Sequence, residues 1–228
     1  MILSHKHRFI FLKTNKTAGT SIEIALSQFC GPDDIITPIP KKDEQIREEL
    51  GFRGPQNYGK PPSSLARRAW RKLFGSKKPR FYNHMPASEL KPLVGDAIWN
   101  SYFKFCFERN PWDRVVSMYY WHNKEEPRPS MKEFIRSDKI DLLEQRGRGI
   151  YSIGGEIVVD RICKFENIGE EMTEVLSTVG IEQAIELPRA KGGHRPKKAG
   201  YKELMSDSDR DEIRARFADE IERLGYSF

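Results

Sequence analysis

Two polar segments each follow an apolar run and carry side chains that could bind anionic groups. The first, KTNKTAGTS, follows the apolar residues FIFL at positions 9–12. Lys16 offers a mobile positive charge, Thr20 and Ser21 offer hydroxyl donors, and Gly19 allows close approach of the backbone. A strand–loop–helix unit also directs backbone N–H groups and the positive end of the helix dipole to one point. The segment predicts a phosphate-binding loop, with an ordinary strand-to-helix turn as the alternative.

This loop departs from the Walker A pattern of nucleotide triphosphatases, G-x-x-x-x-G-K-[ST]. Gly19 is followed by threonine, Lys16 lies three residues before it, and the first glycine is missing. Thr20 and Glu23 have the T-x-x-E spacing of a capping box, which predicts that a helix begins there.

The second segment, FERNPWDRVVS, begins at the end of an alternating apolar run at 102–107 that predicts a strand. Asn110 is a good N-cap and Pro111 a good first helical residue. Arg109 could bind a phosphate with its fork of donors, and Ser117, two turns into the helix, could add a hydroxyl. Arg114 is either a competing anion ligand or a helix-surface residue. In an open α/β sheet both strand ends face the ligand crevice, so the two segments suit a nucleotide with phosphates at separate places.

The remaining patterns describe the elements that must position these residues. Apolar residues at helical spacing predict three helices. The first follows the phosphate-binding loop and ends at Gly31-Pro32, and the second runs from Pro111 to about residue 120. The last carries Ile213, Phe217, Ile221 and Leu224 on one face. Residues 160–167 predict a strand and 170–181 a helix, whereas 32–80 and 123–155 are predicted to be irregular. This alternation predicts an α/β fold: a single three-layer domain over 1–228, with a central, mainly parallel sheet flanked by helices and a variable basic insertion around 31–80.

The charge of the chain favours an anionic partner. The net charge is +6 and the pI about 9.1. Residues 60–80 contain eight Lys or Arg and no acid, and 64–74 could form a basic amphipathic helix. This stretch is either a solvated face or a landing site for an acidic acceptor. Aromatic residues are not interleaved with the basic ones as a nucleic-acid stacking platform requires, so no nucleic acid is expected.

The three cysteines are far apart and lack zinc-ligand spacing, so buried reduced thiols and no metal are expected. No signal peptide is recognisable, and the longest apolar runs fall short of a membrane span. The chain is therefore expected to be cytoplasmic, without stable membrane insertion.

The pair KTNKTAGTS and RNPWDRVVS resembles the two signature segments of sulfotransferases that use 3′-phosphoadenosine 5′-phosphosulfate (PAPS). The likeness is greatest to the carbohydrate type, including heparan sulfate 2-O- and chondroitin sulfotransferases, and extends to NHMPASEL, KFENIGEEM and the C-terminal residues. It implies a P-loop-like fold, PAPS as sulfuryl donor, adenosine 3′,5′-bisphosphate (PAP) as product and a carbohydrate hydroxyl as acceptor, for which an acidic glycan is one candidate. Asn15 stands where relatives often have proline, and the membrane anchor of the animal Golgi enzymes is missing, which suggests a bacterial enzyme.

The resemblance also implies roles for individual residues. The 5′-phosphosulfate would contact Lys16, Thr17, Ala18, Gly19, Thr20 and Ser21. The 3′-phosphate would contact Arg109 and Ser117, and Arg195 and Lys197 resemble part of a segment that closes over the nucleotide.

Lys16 is the expected catalytic residue at the bridging oxygen, where charge builds as the donor is cleaved. His84 in YNHMP is the candidate base, since an ordinary histidine titrates near neutrality and related sequences have a histidine there. The alternatives are a structural histidine beside Pro86, or Glu108 as the base. Glu108 could instead be a buried partner for Arg109 or Lys13, while the other histidines, including His122, are predicted to lie on the surface.

Two other functions remain open on these residues. A P-loop-type kinase would share the fold and the loop but would need Mg²⁺ held by an acidic strand end such as Glu108. A non-catalytic polyanion-binding module would use residues 60–80 and bind with a steep salt dependence. The oligomeric state is not predicted.

Overall fold

The computed structural model describes residues 1–59, 80–188, 190 and 200–228. A five-stranded sheet forms the centre of the chain. Its strands, in chain order, are β1 (Ile2–Ser4), β2 (Phe9–Phe11), β3 (Ile35–Ile36), β4 (Phe103–Glu108) and β5 (Arg161–Lys164).

The sheet is mixed but mainly parallel, as the sequence predicts. The strand order is β3-β1-β2-β4-β5. β2 pairs with β4 and β4 with β5 in parallel, whereas β1 is antiparallel to both β2 and β3. Four of the five strands therefore point the same way. The carboxyl ends of β2 and β4 meet at one edge of the sheet.

Helices cover both faces of the sheet. The first is α1 (Gly19–Leu26), which a short 3₁₀ turn extends to Phe29, and α2 (Lys41–Glu49) follows β3. The others are α3 (Ala87–Val94), α4 (Asp96–Ser101), α5 (Pro111–His122), α6 (Met131–Ile135), α7 (Asp138–Gln145), α8 (Arg148–Tyr151), α9 (Ile168–Thr178), α10 (Tyr201–Leu204), α11 (Asp207–Arg216) and α12 (Ala218–Leu224). A two-stranded ribbon, Ser152–Ile153 with Glu156–Ile157, follows α8.

The three layers arise because alternate side chains of a strand point to opposite faces. Phe9 and Phe11 pack with Ile22 of α1 and Val175 of α9 on one face. On the other face, Ile10 and Leu12 lie in a core with residues of α3, α4 and α8. A third core joins α5 to α6, α7 and α11, with Trp112 and Phe217 buried inside it.

Several local predictions need correction. The irregular stretches contain β3 and α2 before residue 60, and three short helices, α6 to α8, between residues 131 and 151. The final helix is broken near Phe217 into α11 and α12, and Ser206 caps α11 with Asp209 in a capping box. The basic stretch at 64–74 lies outside the described residues, so the prediction of a basic insertion stays a prediction.

The three cysteines are buried and unbonded, in agreement with the sequence. Among the described residues, no helix is long and apolar enough to cross a membrane.

Candidate functional site

A cleft of about 460 Å³ opens at the edge where β2 and β4 end. Two groups of residues line it. The loop side consists of residues from the two polar segments: Lys16, Gly19, Thr20, Ser21, Arg109 and Ser117. The far side consists of residues from three other segments of the chain: Asn83, His84, Trp121, His122, Leu142 and Arg146. The cleft therefore brings together the two segments whose spacing predicted an anion site.

The loop between β2 and α1 has an unusual backbone. Lys16 and Ala18 both have positive φ, 66° and 57°, and Ala18 is the N-cap of α1. A side chain on Gly19 would place its Cβ 2.7 Å from Cγ of Lys13, so only glycine fits without movement. The Thr14 hydroxyl donates to the Phe107 carbonyl and lies 2.9 Å from the Thr17 hydroxyl. These contacts tie the loop to the end of β4.

The predicted capping box at Thr20 and Glu23 is wrong. The N-cap of α1 is Ala18, two residues before Thr20, and it forms no side-chain cap. Glu23 is instead buried and pairs with Lys13 at 2.8 Å and with the amino group of Met1 at 2.9 Å. Burial opposes ionisation of Glu23, but these two positive charges outweigh burial and lower its pKa to about 2. Lys13 is thus held by Glu23, and its side chain packs against Gly19 of the loop.

Arg109 connects the two polar segments. Its Nε and Nη2 both donate to Oδ2 of Asp113, at 2.8 and 2.5 Å, and its Nη1 donates to the Lys16 carbonyl at 3.2 Å. Its guanidinium carbon lies 4.2 Å from the centre of the Phe165 ring. Three contacts therefore hold the guanidinium at the loop, where it can present its donors to an anion.

Lys16 lies between the two sides of the cleft. Its Nζ is 5.4 Å from the centre of the Trp121 ring, a distance at which a cation is attracted to the ring face. Trp121 remains 37% exposed and contributes an open aromatic surface to the far side.

The His84 ring is hydrogen-bonded to the loop between β2 and α1. Its backbone has a φ of 58°, and its Nδ1 donates to the Lys13 carbonyl at 2.9 Å. Because a carbonyl only accepts, this bond places the ring proton on Nδ1 and leaves the lone pair on Nε2. Burial, followed by the positive charge of Lys13, lowers the pKa of His84 to about 3. The ring is therefore neutral near pH 7 with an unprotonated Nε2, and it is a weaker base than the ordinary histidine that the sequence analysis assumed.

Glu108 and Arg114 form a buried ion pair beneath the cleft. Neither residue lines the cleft, so the structure does not support Glu108 as the base or Arg114 as an anion ligand. Glu108 also pairs with Arg114 rather than with Arg109 or Lys13 as predicted. Burial raises the pKa of the Glu108 carboxyl.

One further residue differs from its predicted place. The Thr17 side chain is buried against Thr14 and does not line the cleft, so only its backbone is left to act at the loop. Ala18, in contrast, lines the cleft as expected. Arg195 and Lys197 lie outside the described residues.

The sequence did not indicate most of the far side. His122 was predicted to be a surface residue, yet it lines the cleft, and its Nε2 is buried without a hydrogen bond from the described residues. Asn83 Oδ1 is buried and unpartnered in the same sense. Burial, with Lys139 and Lys16 nearby, lowers the pKa of His122. On the far side only His84, and Asn83 beside it in the segment NHMPASEL, had a sequence signal.

No group of three or more His, Cys, Asp or Glu within residues 1–59, 80–188, 190 and 200–228 is placed to hold a metal ion.

Comparison with known proteins shows the family of the chain. The family model described as "Sulfotransferase family" matches residues 1–149, which include both polar segments and the whole far side. An uncharacterised protein of Archaeoglobus fulgidus is 31% identical over 106 residues, which make up 45% of this chain and 88% of that protein.

Two solved structures are similar in shape. Mouse sulfotransferase SULT7A1 in complex with PAP has a TM-score of 0.47 and 12% identity, with 96% of this chain and 86% of that chain covered. A sulfotransferase from Alicyclobacillus acidocaldarius has a TM-score of 0.43 and 19% identity, with 94% of this chain and 92% of that chain covered. Because the family model covers well over half of the chain, the chain belongs to the sulfotransferase family.

Proposed function

We propose that this sulfotransferase transfers a sulfuryl group from PAPS to a hydroxyl of a carbohydrate. The observation that carries the proposal is the meeting of Lys16, Arg109 and His84 in one cleft, on the edge where the parallel strands β2 and β4 end. Each of these side chains supplies a different function that the transfer requires.

The loop side fits a nucleotide with two separate anionic groups. Residues 16–21 offer a cation, hydroxyls and the N-terminal end of α1, and Gly19 at that end lines the cleft. Arg109 and Ser117 lie on the second segment and would hold the other anionic group. The contact of Arg109 with the Lys16 carbonyl connects the two positions.

Catalysis of the transfer rests on charge stabilisation and on proton removal. Lys16 would stabilise the negative charge that develops on the bridging oxygen as the sulfur–oxygen bond of the donor breaks. His84 Nε2 would accept the proton of the acceptor hydroxyl while the hydroxyl oxygen forms the new bond to sulfur. The hydrogen bond from Nδ1 to Lys13 keeps the ring in the tautomer that this step needs. PAP would leave with the bridging oxygen.

A carbohydrate acceptor is supported by the chemistry of the far side. Asn83 Oδ1 is a buried acceptor without a partner in the described chain, and a sugar hydroxyl could donate to it. His122 Nε2 is a second buried atom without a partner in the described chain, and it can donate to or accept from a sugar hydroxyl according to the tautomer. The exposed ring of Trp121 provides an amphipathic surface for the apolar face of a pyranose.

The kinase alternative shares the phosphate loop but loses its proposed metal ligand, because Glu108 is buried in a pair with Arg114. Family membership also favours sulfuryl transfer over phosphoryl transfer. The polyanion-binding alternative depends on residues 60–80. Sulfuryl transfer in an assay would distinguish an enzyme from a module that only binds.

The test has two parts. Calorimetry with PAP is expected to show binding, and an assay with labelled PAPS is expected to show transfer to at least one member of a panel of glycans. Absence of PAP binding would refute the donor assignment. PAP binding together with transfer only to non-carbohydrate hydroxyls, such as phenols, would refute the acceptor class and leave the donor site intact.

A further inference from the structure

Arg146 occupies a defined position at the C-terminal end of α7, on the far side of the cleft. Its backbone carbonyl accepts a hydrogen bond of 2.7 Å from the backbone N–H of Asn15, the residue before Lys16. Its side chain is exposed and lines the cleft. The arginine is thus joined through its backbone to the start of the loop, while its side chain remains accessible.

Gly147, the next residue, allows the segment after α7 to pack closely against its neighbours. A Cβ on Gly147 would lie 2.9 Å from Nη1 of Arg114 and 2.7 Å from the Leu143 carbonyl oxygen, so only glycine fits there. The segment after α7 therefore packs against Arg114 of the buried Glu108–Arg114 pair. This packing determines where Arg146 enters the cleft.

Arg146 also differs from the other cationic residues of the cleft in its partners. Lys13 is paired with Glu23 and Arg109 with Asp113, and Lys16 lies over the Trp121 ring. Within the part of the chain that the structure describes, the Arg146 side chain forms no ion pair or hydrogen bond. Its positive charge acts on His84, whose pKa it helps to lower, so it lies on the side of the candidate base.

We infer that Arg146 forms an anion subsite for the acceptor, so that the preferred saccharide carries a carboxylate or phosphate group near the hydroxyl that reacts. This inference rests on the proposed function. Arg109 and residues 16–21 lie on the loop side, where the donor would bind. Arg146 lies on the far side, next to the candidate base and the residues proposed to contact the acceptor. An exposed guanidinium at the edge of a cleft binds such groups with two parallel hydrogen bonds.

The inference is tested on the PAP-loaded protein with oligosaccharides that contain uronic acid, with the same oligosaccharides after amidation of their carboxylates, and with phosphorylated ones. Calorimetry is expected to show tighter binding of at least one anionic series than of the neutral amides. Arg146→Ala is expected to weaken that binding about 10- to 100-fold and to leave the neutral amides unaffected. Arg146→Lys is expected to retain part of the affinity, because it keeps the charge without the fork.

Arg136→Ala is the matched control, since Arg136 is an exposed arginine paired with Glu212 outside the cleft. It is expected to bind every oligosaccharide as the wild type does. Equal binding of the charged and amidated saccharides to the wild type would overturn the inference. The inference would also be overturned if Arg146→Ala weakened PAP binding as much as it weakened binding of the anionic saccharides, because Arg146 would then belong to the donor site. Failure of the wild type to bind PAP would instead refute the proposed function itself.

Discussion

The two sides of the cleft are built in different ways. On the loop side, the functional groups come from two short segments, and each follows directly on a strand of the sheet. The far side collects single residues from the segment before α3, the end of α5 and the end of α7. The loop side is therefore encoded by local sequence, whereas the far side depends on how distant segments pack.

The sides also differ in how their polar groups are satisfied. Arg109 on the loop side has Asp113 and the Lys16 carbonyl as partners, so its geometry is fixed within the protein. On the far side, Asn83 Oδ1 and His122 Nε2 are buried without partners among the described residues. A loop side whose polar groups have partners within the protein thus faces a far side with two buried polar atoms that have none among the described residues. Four changes would break or sharpen this contrast.

The largest effect on turnover is expected from His84→Asn. Asparagine tolerates the positive φ of this position and removes the base, so the backbone should be kept. We expect kcat for sulfuryl transfer to fall about 10²- to 10⁴-fold with little change in PAP affinity. Steady-state kinetics and calorimetry on the same preparation measure both quantities. Transfer at the wild-type rate would show that another group removes the proton.

Arg114→Met is expected to cause the largest loss of stability. It leaves the Glu108 carboxylate buried without its partner, which typically costs about 3–5 kcal/mol. Urea unfolding measures the change, and Arg136→Met on the surface should stay within about 0.5 kcal/mol of wild type. A loss below about 1 kcal/mol would mean that the pair is not what supports the segment that carries Arg146.

Lys16→Ala tests the residue between the two sides. Removal of a group that stabilises charge in the transition state typically costs about 10²–10³ in rate, and we expect kcat to fall by that amount. Lys42→Ala is the control, because Lys42 is an exposed lysine on α2, away from the cleft. If the loss is confined to KM while kcat is unchanged, Lys16 binds substrate without assisting the chemical step.

Arg109→Lys is expected to have the smallest effect. Lysine keeps the positive charge but cannot reproduce the fork that contacts both Asp113 and the Lys16 carbonyl. We expect PAP to bind about tenfold more weakly, as the loss of one hydrogen bond to a charged group predicts. Calorimetry on the variant decides the matter. Unchanged affinity would place the second anionic group of the nucleotide elsewhere.

Much of the loop side could be predicted because its signals are local. The order of strand, polar loop and helix, and the Asn110-Pro111 helix start, follow from neighbouring residues, and the structure agrees with both. The prediction failed where a side chain had a different partner. Glu23 pairs with Lys13 and Met1 instead of capping α1, and Glu108 pairs with Arg114 rather than with Arg109 or Lys13.

The amino-acid sequence alone determined the α/β class, the two polar segments and the candidate roles of Lys16, His84 and Arg109. The class and the segments rest on interactions between residues close in the chain, which leave a periodic or spaced pattern, whereas the candidate roles follow from side-chain chemistry and from the family resemblance. Only the tertiary structure decided that Asn83, Trp121, His122 and Arg146 face the same cleft, because packing between α5, α7 and the loop brings them together. Contacts between distant segments depend on the shapes of buried surfaces such as Gly147 against Arg114, and these leave no period in the sequence.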